Sequence, residues 1–184
     1  MSIQILGGKA RGMKLSTPQN LIRPTSVLLK RRLFDSIQDF SPYEFVDLCA
    51  GSGAIGLEAA SRGAEKVYLN EQHAKVFNFL KKNTIEYKNK FDGSDIQLSK
   101  FSFSRFLKDY TIKSNTFLFF DPPYEKVELY KEFFSYISAQ NSSFKVAVEF
   151  CRQKTMTATE MEDIFGKPER LYQQGTSFLY IYDL

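Results

Sequence analysis

The sequence predicts an α/β fold: a doubly wound, mostly parallel seven-stranded sheet with one antiparallel strand, preceded by a small N-terminal β-hairpin and helix. Three observations predict it. From Phe45 onward, apolar runs of strand length alternate with stretches whose apolar residues recur at helical spacing, the rhythm of a parallel sheet covered on both faces. The first run ends in Gly51-Ser-Gly53-Ala-Ile-Gly56, a glycine-rich loop that opens a helix. The last two runs face each other across Gly175 and read as an antiparallel pair at one end of the sheet.

Ile3–Leu6 and Met13–Leu15 read as two short strands around the basic turn Gly7-Gly-Lys-Ala-Arg-Gly12. Arg23-Pro-Thr-Ser26 can start a helix in which Leu29, Leu33, Phe34 and Ile37 form the apolar side and Lys30, Arg31 and Arg32 a solvated one. Residues 1–40 are thus read as a basic hairpin-and-helix appendage and 41–184 as the sheet domain. Within that domain the strands are Phe45–Leu48, Lys66–Leu69, Ile96–Leu98, Thr116–Phe120, Phe144–Phe150, Arg170–Gln173 and Ser177–Tyr182. The intervening helices are Ala54–Ser61, Ala74–Tyr87, Ser104–Asp109, Val127–Ile137 and Thr159–Phe165. Phe34, Phe117 and Phe119 belong to the core, and His73 sits at a helix start.

Charge is unevenly spread. The first 34 residues hold seven basic side chains and no acid, whereas the remaining 150 hold 18 basic and 21 acidic ones. Such an arm suits a polyanion, most simply nucleic acid, with Lys9, Arg11, Lys14 and Arg23 as candidate phosphate ligands. Arg23 can equally serve only to begin a helix beside Pro24. No apolar run has the length of a membrane span and the start lacks a signal-peptide core. Two isolated cysteines, Cys49 and Cys151, fit reduced thiols. A cytoplasmic monomer is the expectation. One histidine leaves little scope for a His-based metal site or a Ser-His-Asp triad.

The chemistry concentrates at strand ends. Asp47 precedes the glycine loop, where it would repel a pyrophosphate but attract a cationic amino-acid group. S-adenosylmethionine (SAM), with an ammonium, a sulfonium and no phosphate, suits this loop better than a nicotinamide dinucleotide. Ala50, Gly51 and Gly53 would let it approach the backbone. After the second strand, Asn70 or Glu71 would hold the ribose hydroxyls. After the third, Ser102 and Phe103 would flank the adenine. The fourth strand delivers Asp121-Pro122-Pro123-Tyr124. A carboxylate and a carbonyl are acceptors for both hydrogens of an amine, two prolines stiffen the chain, and a tyrosine ring can stack on a flat base. First and fourth strands flank the switch point of a doubly wound sheet, so the two motifs are expected side by side.

These residues resemble the RsmD family of bacterial 16S rRNA guanine-N2 methyltransferases over nearly the whole chain. The resemblance rests on Ile5-Leu-Gly-Gly8 with Arg11-Gly12 and Lys14-Leu15, Arg23-Pro-Thr-Ser26 with Leu33-Phe34, Asp47 through Gly63, Asp121-Pro-Pro-Tyr124, and Gly175-Thr-Ser-Phe-Leu-Tyr180. The chain departs from the family at Met13 and Lys30-Arg31, at Asn70, where an acid is usual, and near Ser102, where an Asp or Asn is usual. The resemblance implies methyl transfer from SAM to the N2 amine of a guanine in 16S rRNA, free or within a small-subunit particle. Asp121, Pro122 and Tyr124 would be catalytic, and no metal would be needed because the sulfonium is already an activated electrophile. Rival readings are a DNA adenine-N6 or cytosine-N4 methyltransferase, a nicotinamide oxidoreductase that leaves Asp121-Pro-Pro-Tyr124 without a role, and a non-catalytic RNA-binding assembly factor.

Overall fold

A computed structural model of the chain describes residues 3–18, 27–152 and 157–184. Ile3–Gln4 (β1) and Lys14–Leu15 (β2) pair antiparallel, and Val27–Ser36 forms α1. The larger unit runs Glu44–Asp47 (β3), Gly56–Ser61 (α2), Lys66–Asn70 (β4), Ala74–Lys90 (α3), Asp95–Ser99 (β5), Phe103–Asp109 (α4) and Thr116–Phe120 (β6). It ends with Val127–Ser138 (α5), Lys145–Cys151 (β7), Ala158–Phe165 (α6), Arg170–Gln174 (β8) and Ser177–Asp183 (β9). The sheet order is β5-β4-β3-β6-β7-β9-β8, with β9 antiparallel to both of its neighbours. Strand order reverses between β3 and β6, as expected of a doubly wound sheet.

The apolar runs make this sheet because both of its faces are covered. Every residue of β3 and β6 is buried. One side builds a core around Phe45, Phe117, Leu57 and Leu80. The other builds a core around Phe120, Phe133, Phe150 and Tyr180, where the Phe120 and Phe133 rings stack 4.1 Å apart. Among the described residues no helix is long and apolar enough to cross a membrane.

The N-terminal segment is fastened to this unit. Ile5, Ala10, Met13, Leu15, Leu29 and Phe34 lie in the same core cluster as Leu57 and Phe117. The hairpin turn sits on the C-terminal end of α2: Lys9 N–H donates to the Ser61 carbonyl at 2.9 Å, Ala10 N–H to the Ser61 hydroxyl at 2.8 Å, and that hydroxyl to the Gly7 carbonyl at 2.6 Å. Gly8, at φ +70°, is required there, since a Cβ would stand 1.9 Å from the Ser61 carbonyl oxygen.

Lys30 corrects the sequence reading. It does not share a solvated face with Arg31 and Arg32, which are exposed; it is buried, and its ammonium lies 3.0 Å from Glu58 on α2. Glu58 is 0% exposed and also accepts from Arg62 at 2.9 Å and from Leu6 N–H at 2.6 Å. Burial pushes the Lys30 ammonium below its ordinary pKa, against the opposing pull of Glu58. One carboxylate therefore joins the hairpin, α1 and α2. Helical spacing alone cannot register a partner that arrives from an element 28 residues away.

Candidate active site

The switch point places the two predicted motifs in one cavity. Asp47 pairs in register with Phe119, and Leu48 N–H donates to the Phe119 carbonyl at 3.0 Å, so the loops beyond them leave the sheet together. The resulting cavity holds about 710 Å³. Asp47, Ala50, Gly51, Glu71, Phe103, Asp121, Pro122 and Tyr124 all line it. Asn70 and Ser102 also reach it. Gly53 does not: at φ +87° it turns the loop where a Cβ would meet Leu80 of α3 at 2.8 Å, so it serves the packing of loop on helix.

Asp47 is the buried charge of the site. Its Oδ2 accepts from Gly56 N–H at 3.3 Å, the Cys49 backbone also hydrogen-bonds the carboxylate, and Oδ1 is buried. Burial, followed at a distance by the neighbouring Glu71 charge, raises its carboxyl from 3.8 to about 7. Cys49 lies between the acids, and burial together with the charges of Asp121, Asp47 and Glu71 pushes its thiol well above the usual range.

Asn70 and Glu71 separate cleanly. Asn70 stays within β4, and its amide is fully used: Nδ2 donates to the Leu48 and Phe101 carbonyls at 3.1 and 3.0 Å, while Oδ1 accepts from the Ser99 hydroxyl and from Phe101 N–H. It stitches three strand ends together. Glu71 stands one residue beyond the strand, half-buried, with Oε2 accepting from Gly51 N–H at 3.0 Å and Oε1 from His73 N–H at 2.7 Å. It is the acid that faces the cavity and braces the glycine loop. The Ser102 hydroxyl caps α4 by accepting from Arg105 N–H, and Phe103 is a buried wall packed edge-on to Phe120. His73 caps α3, accepting from Val76 N–H.

Tyr124 is held from behind. Its hydroxyl donates to Glu149 Oε1 at 2.6 Å and also engages Ser177; burial, then the charges of Asp121 and Glu149, pushes it far above an ordinary phenol. Sequence reasoning missed Glu149; the available signal was a lone acid in the apolar run Val146-Ala-Val-Glu-Phe150 of a buried strand. It also missed Phe101, 49% exposed at the cavity wall, and Ile3 of β1, which makes the hairpin part of that wall.

Of the basic candidates, Lys9, Arg11 and Lys14 are exposed. Lys9 and Arg11 lie by the C-terminal end of α2, whereas the cavity lies at its N-terminal end; the structure does not bring them to the cavity. The Lys9 ammonium instead hydrogen-bonds the Asp92 carbonyl. Arg23 lies outside the described residues. No cluster of three or more His, Cys, Asp or Glu side chains suited to a metal occurs among the described residues.

Comparison with known proteins gives this geometry a lineage. The family described as Conserved hypothetical protein 95 matches residues 3–182. A ribosomal RNA small subunit methyltransferase D from Buchnera aphidicola is 32% identical over 127 residues, 67% of this chain; the chain spans 64% of that relative's length. A hypothetical protein from Thermus thermophilus superposes with a TM-score of 0.76 at 26% identity over 99% of both chains. An RNA methyltransferase from Salinibacter ruber, solved with S-adenosyl-L-homocysteine, shares the fold with a TM-score of 0.59 at 16% identity over 88% of this chain and 93% of its own. The chain belongs to the Conserved hypothetical protein 95 family, the RsmD family.

Proposed function

We propose that the protein transfers a methyl group from SAM to the exocyclic N2 amine of a guanine in the 16S rRNA of the small ribosomal subunit. The observation that carries this reading is the cavity beyond β3 and β6, which gathers Asp47 and the amine acceptors of Asp121 and Pro122 into one lining. The residues fit the cofactor. Asp47 is a buried carboxylate met by the Gly56 and Cys49 backbone, and the ammonium of SAM would supply the cation its charge calls for. Glu71 would hold a ribose diol, and Phe103 with Phe101 would flank the adenine; all three line the cavity. When bound, SAM supplies a methyl group already activated on a sulfonium. The Salinibacter neighbour's bound S-adenosyl-L-homocysteine and the Buchnera relative's name agree with this reading.

The chain's own work is orientation. A guanine amine is a poor nucleophile because its lone pair is delocalised into the ring. The Asp121 carboxylate and the Pro122 carbonyl would accept its two N–H bonds, favouring a pyramidal nitrogen aimed at the methyl carbon. Tyr124, its hydroxyl fixed by Glu149, would offer its ring to a base drawn out of the RNA stack. The proton released as the N–C bond forms would pass to the Asp121 carboxylate and then to solvent.

The test is labelled methyl transfer from SAM to small-subunit rRNA lacking the modification, free and within particles, with the product nucleoside identified. Wild type should yield N2-methylguanosine, and Asp121→Ala should lose activity by about 100-fold or more, the scale of one lost polar contact to a reacting group. N6-methyladenine as the product, or full activity in Asp121→Ala, would reject the mechanism.

A further inference from the structure

Helix α3 is the most basic element among the described residues, and the reaction proposed above makes no use of its charge. Between Ala74 and Lys90 it carries Lys75, Lys81, Lys82, Lys88 and Lys90, all exposed, against a single acid, Glu86. Val76, Leu80, Asn83, Thr84 and Tyr87 form its buried side. Two contacts orient the helix. Lys88 donates to the Ile96 carbonyl at 2.8 Å, which puts β5 on one side of the buried face. Asn83, on the other side, donates to the Ser16 carbonyl and accepts from Ser16 N–H, both at 2.9 Å, which puts the hairpin there. Going round the helix past Asn83, away from β5, the next flank carries Lys75 and, two turns on, Lys82, followed by Glu86 and Lys90 in the next two turns. Glu86 on that flank is neutralised by Lys90 at 2.7 Å.

This flank joins two places that otherwise stay apart. At its start, His73 and Val76 line the cavity, and the exposed Lys75 lies between them in sequence. At its end, Lys9 bonds the Asp92 carbonyl just beyond α3 and lies 5.9 Å from the Tyr87 ring centroid. A 17-residue helix spans about 25 Å, so the flank reaches from cavity to hairpin tip. Elsewhere the cavity lining carries Glu125, Lys126 and Glu132.

We infer that this flank of α3, met at its end by Lys9 and extended by the exposed Arg11 and Lys14 of the same hairpin, is a track for the sugar–phosphate backbone of the RNA whose base enters the cavity. The inference rests on the RNA reading above and accounts for basic hairpin residues placed at the far end of α2. Lysines seated beside one another along a helix neutralise successive phosphates and release counterions, and the salt dependence of binding counts them.

The test compares wild type, Lys75→Gln/Lys82→Gln, and a control of equal charge loss, Lys108→Gln/Lys167→Gln, whose lysines are exposed elsewhere. Binding of a labelled small-subunit rRNA fragment is measured by anisotropy over a salt series, with SAM affinity measured alongside. The α3 variant should bind RNA about tenfold more weakly, and its slope of log affinity against log salt should be shallower by roughly one per lysine. SAM affinity and the control should match wild type. A wild-type slope in the α3 variant, while wild type still methylates rRNA, would overturn the track and leave the proposed reaction standing. Absence of both RNA binding and rRNA methylation in wild type would overturn both. An equal loss for duplex DNA of the same sequence, with no preference for RNA in wild type, would overturn the assignment to RNA.

Discussion

Asp47 holds a carboxyl that burial has moved from 3.8 to about 7, and the cost falls on its ionised form. An ammonium set against the carboxylate, as proposed for SAM, would restore that form, so protonation and cofactor binding would compete. Affinity for SAM is expected to climb by up to tenfold per unit as pH rises from about 5.5 to about 7, then to level off with respect to this group. Asp47→Asn should bind SAM more weakly and show no such slope by calorimetry; an unchanged slope in the variant would assign the titration to another group. For the empty fold the sign reverses. A carboxyl whose folded value lies above its unfolded one stabilises while protonated, and that stability is lost as pH rises through about 7, so Asp47→Asn should melt above wild type at about pH 8. Asp47 was legible in the sequence because its chemistry is local, an acid at a strand end beside glycines. The choice between Asn70 and Glu71 was not. It turns on whether β4 ends at one residue or the next, and on an amide whose partners at Leu48, Ser99 and Phe101 come from other strands.

At the scale of elements, α1 and α2 show what pattern reading recovers and what it loses. The spacing of Leu29, Leu33 and Phe34 located α1 correctly, since a buried stripe follows from the helical period. The same spacing assigned Lys30 to solvent, because nothing within α1 announces Glu58. Removing one partner of a buried ion pair leaves the other charge uncompensated, at a cost of about 3 kcal/mol or more. Lys30→Ala should therefore lower unfolding stability in urea by about that amount, whereas Arg31→Ala, at an exposed position of the same helix, should stay within about 0.5 kcal/mol of wild type. Equal, small effects at both positions would mean that Glu58 is adequately held by Arg62 and Leu6 alone. The glycines of the hairpin tell a parallel story. Gly7-Gly8 reads as a flexible turn in sequence, yet Gly8 is pinned against the Ser61 carbonyl, a contact across more than 50 residues.

For the whole molecule, the question is whether residues 1–40 form a detachable arm or part of the folding unit. The sequence divides at the change from basic hairpin to alternating strands and helices, a division of chemistry. The packing runs across it. Ile5, Met13, Leu15, Leu29, Leu33, Phe34 and Phe40 are buried in the core that also contains Phe45, Leu57 and Phe117. Each such side chain contributes roughly 1.5–3 kcal/mol on burial, and a domain has only about 5–15 kcal/mol in total to lose. Removal would also strip Lys30 and the Leu6 N–H from Glu58 and leave a buried carboxylate resting on Arg62. Ile3 would be lost from the cavity wall and the Ser16 clasp from Asn83, which also donates to the Ser52 carbonyl of the glycine loop at 2.8 Å. A chain beginning at residue 41 is therefore expected to lose cooperative unfolding and SAM binding together, rather than to keep SAM binding and lose RNA alone. Full-length protein should show one thermal transition, with amides of the hairpin and of β3 exchanging with similar protection in hydrogen-exchange measurements. A truncated chain that melts cooperatively and binds SAM at wild-type affinity would establish the N-terminal segment as an independent RNA-facing arm, with its shared core as mere contact.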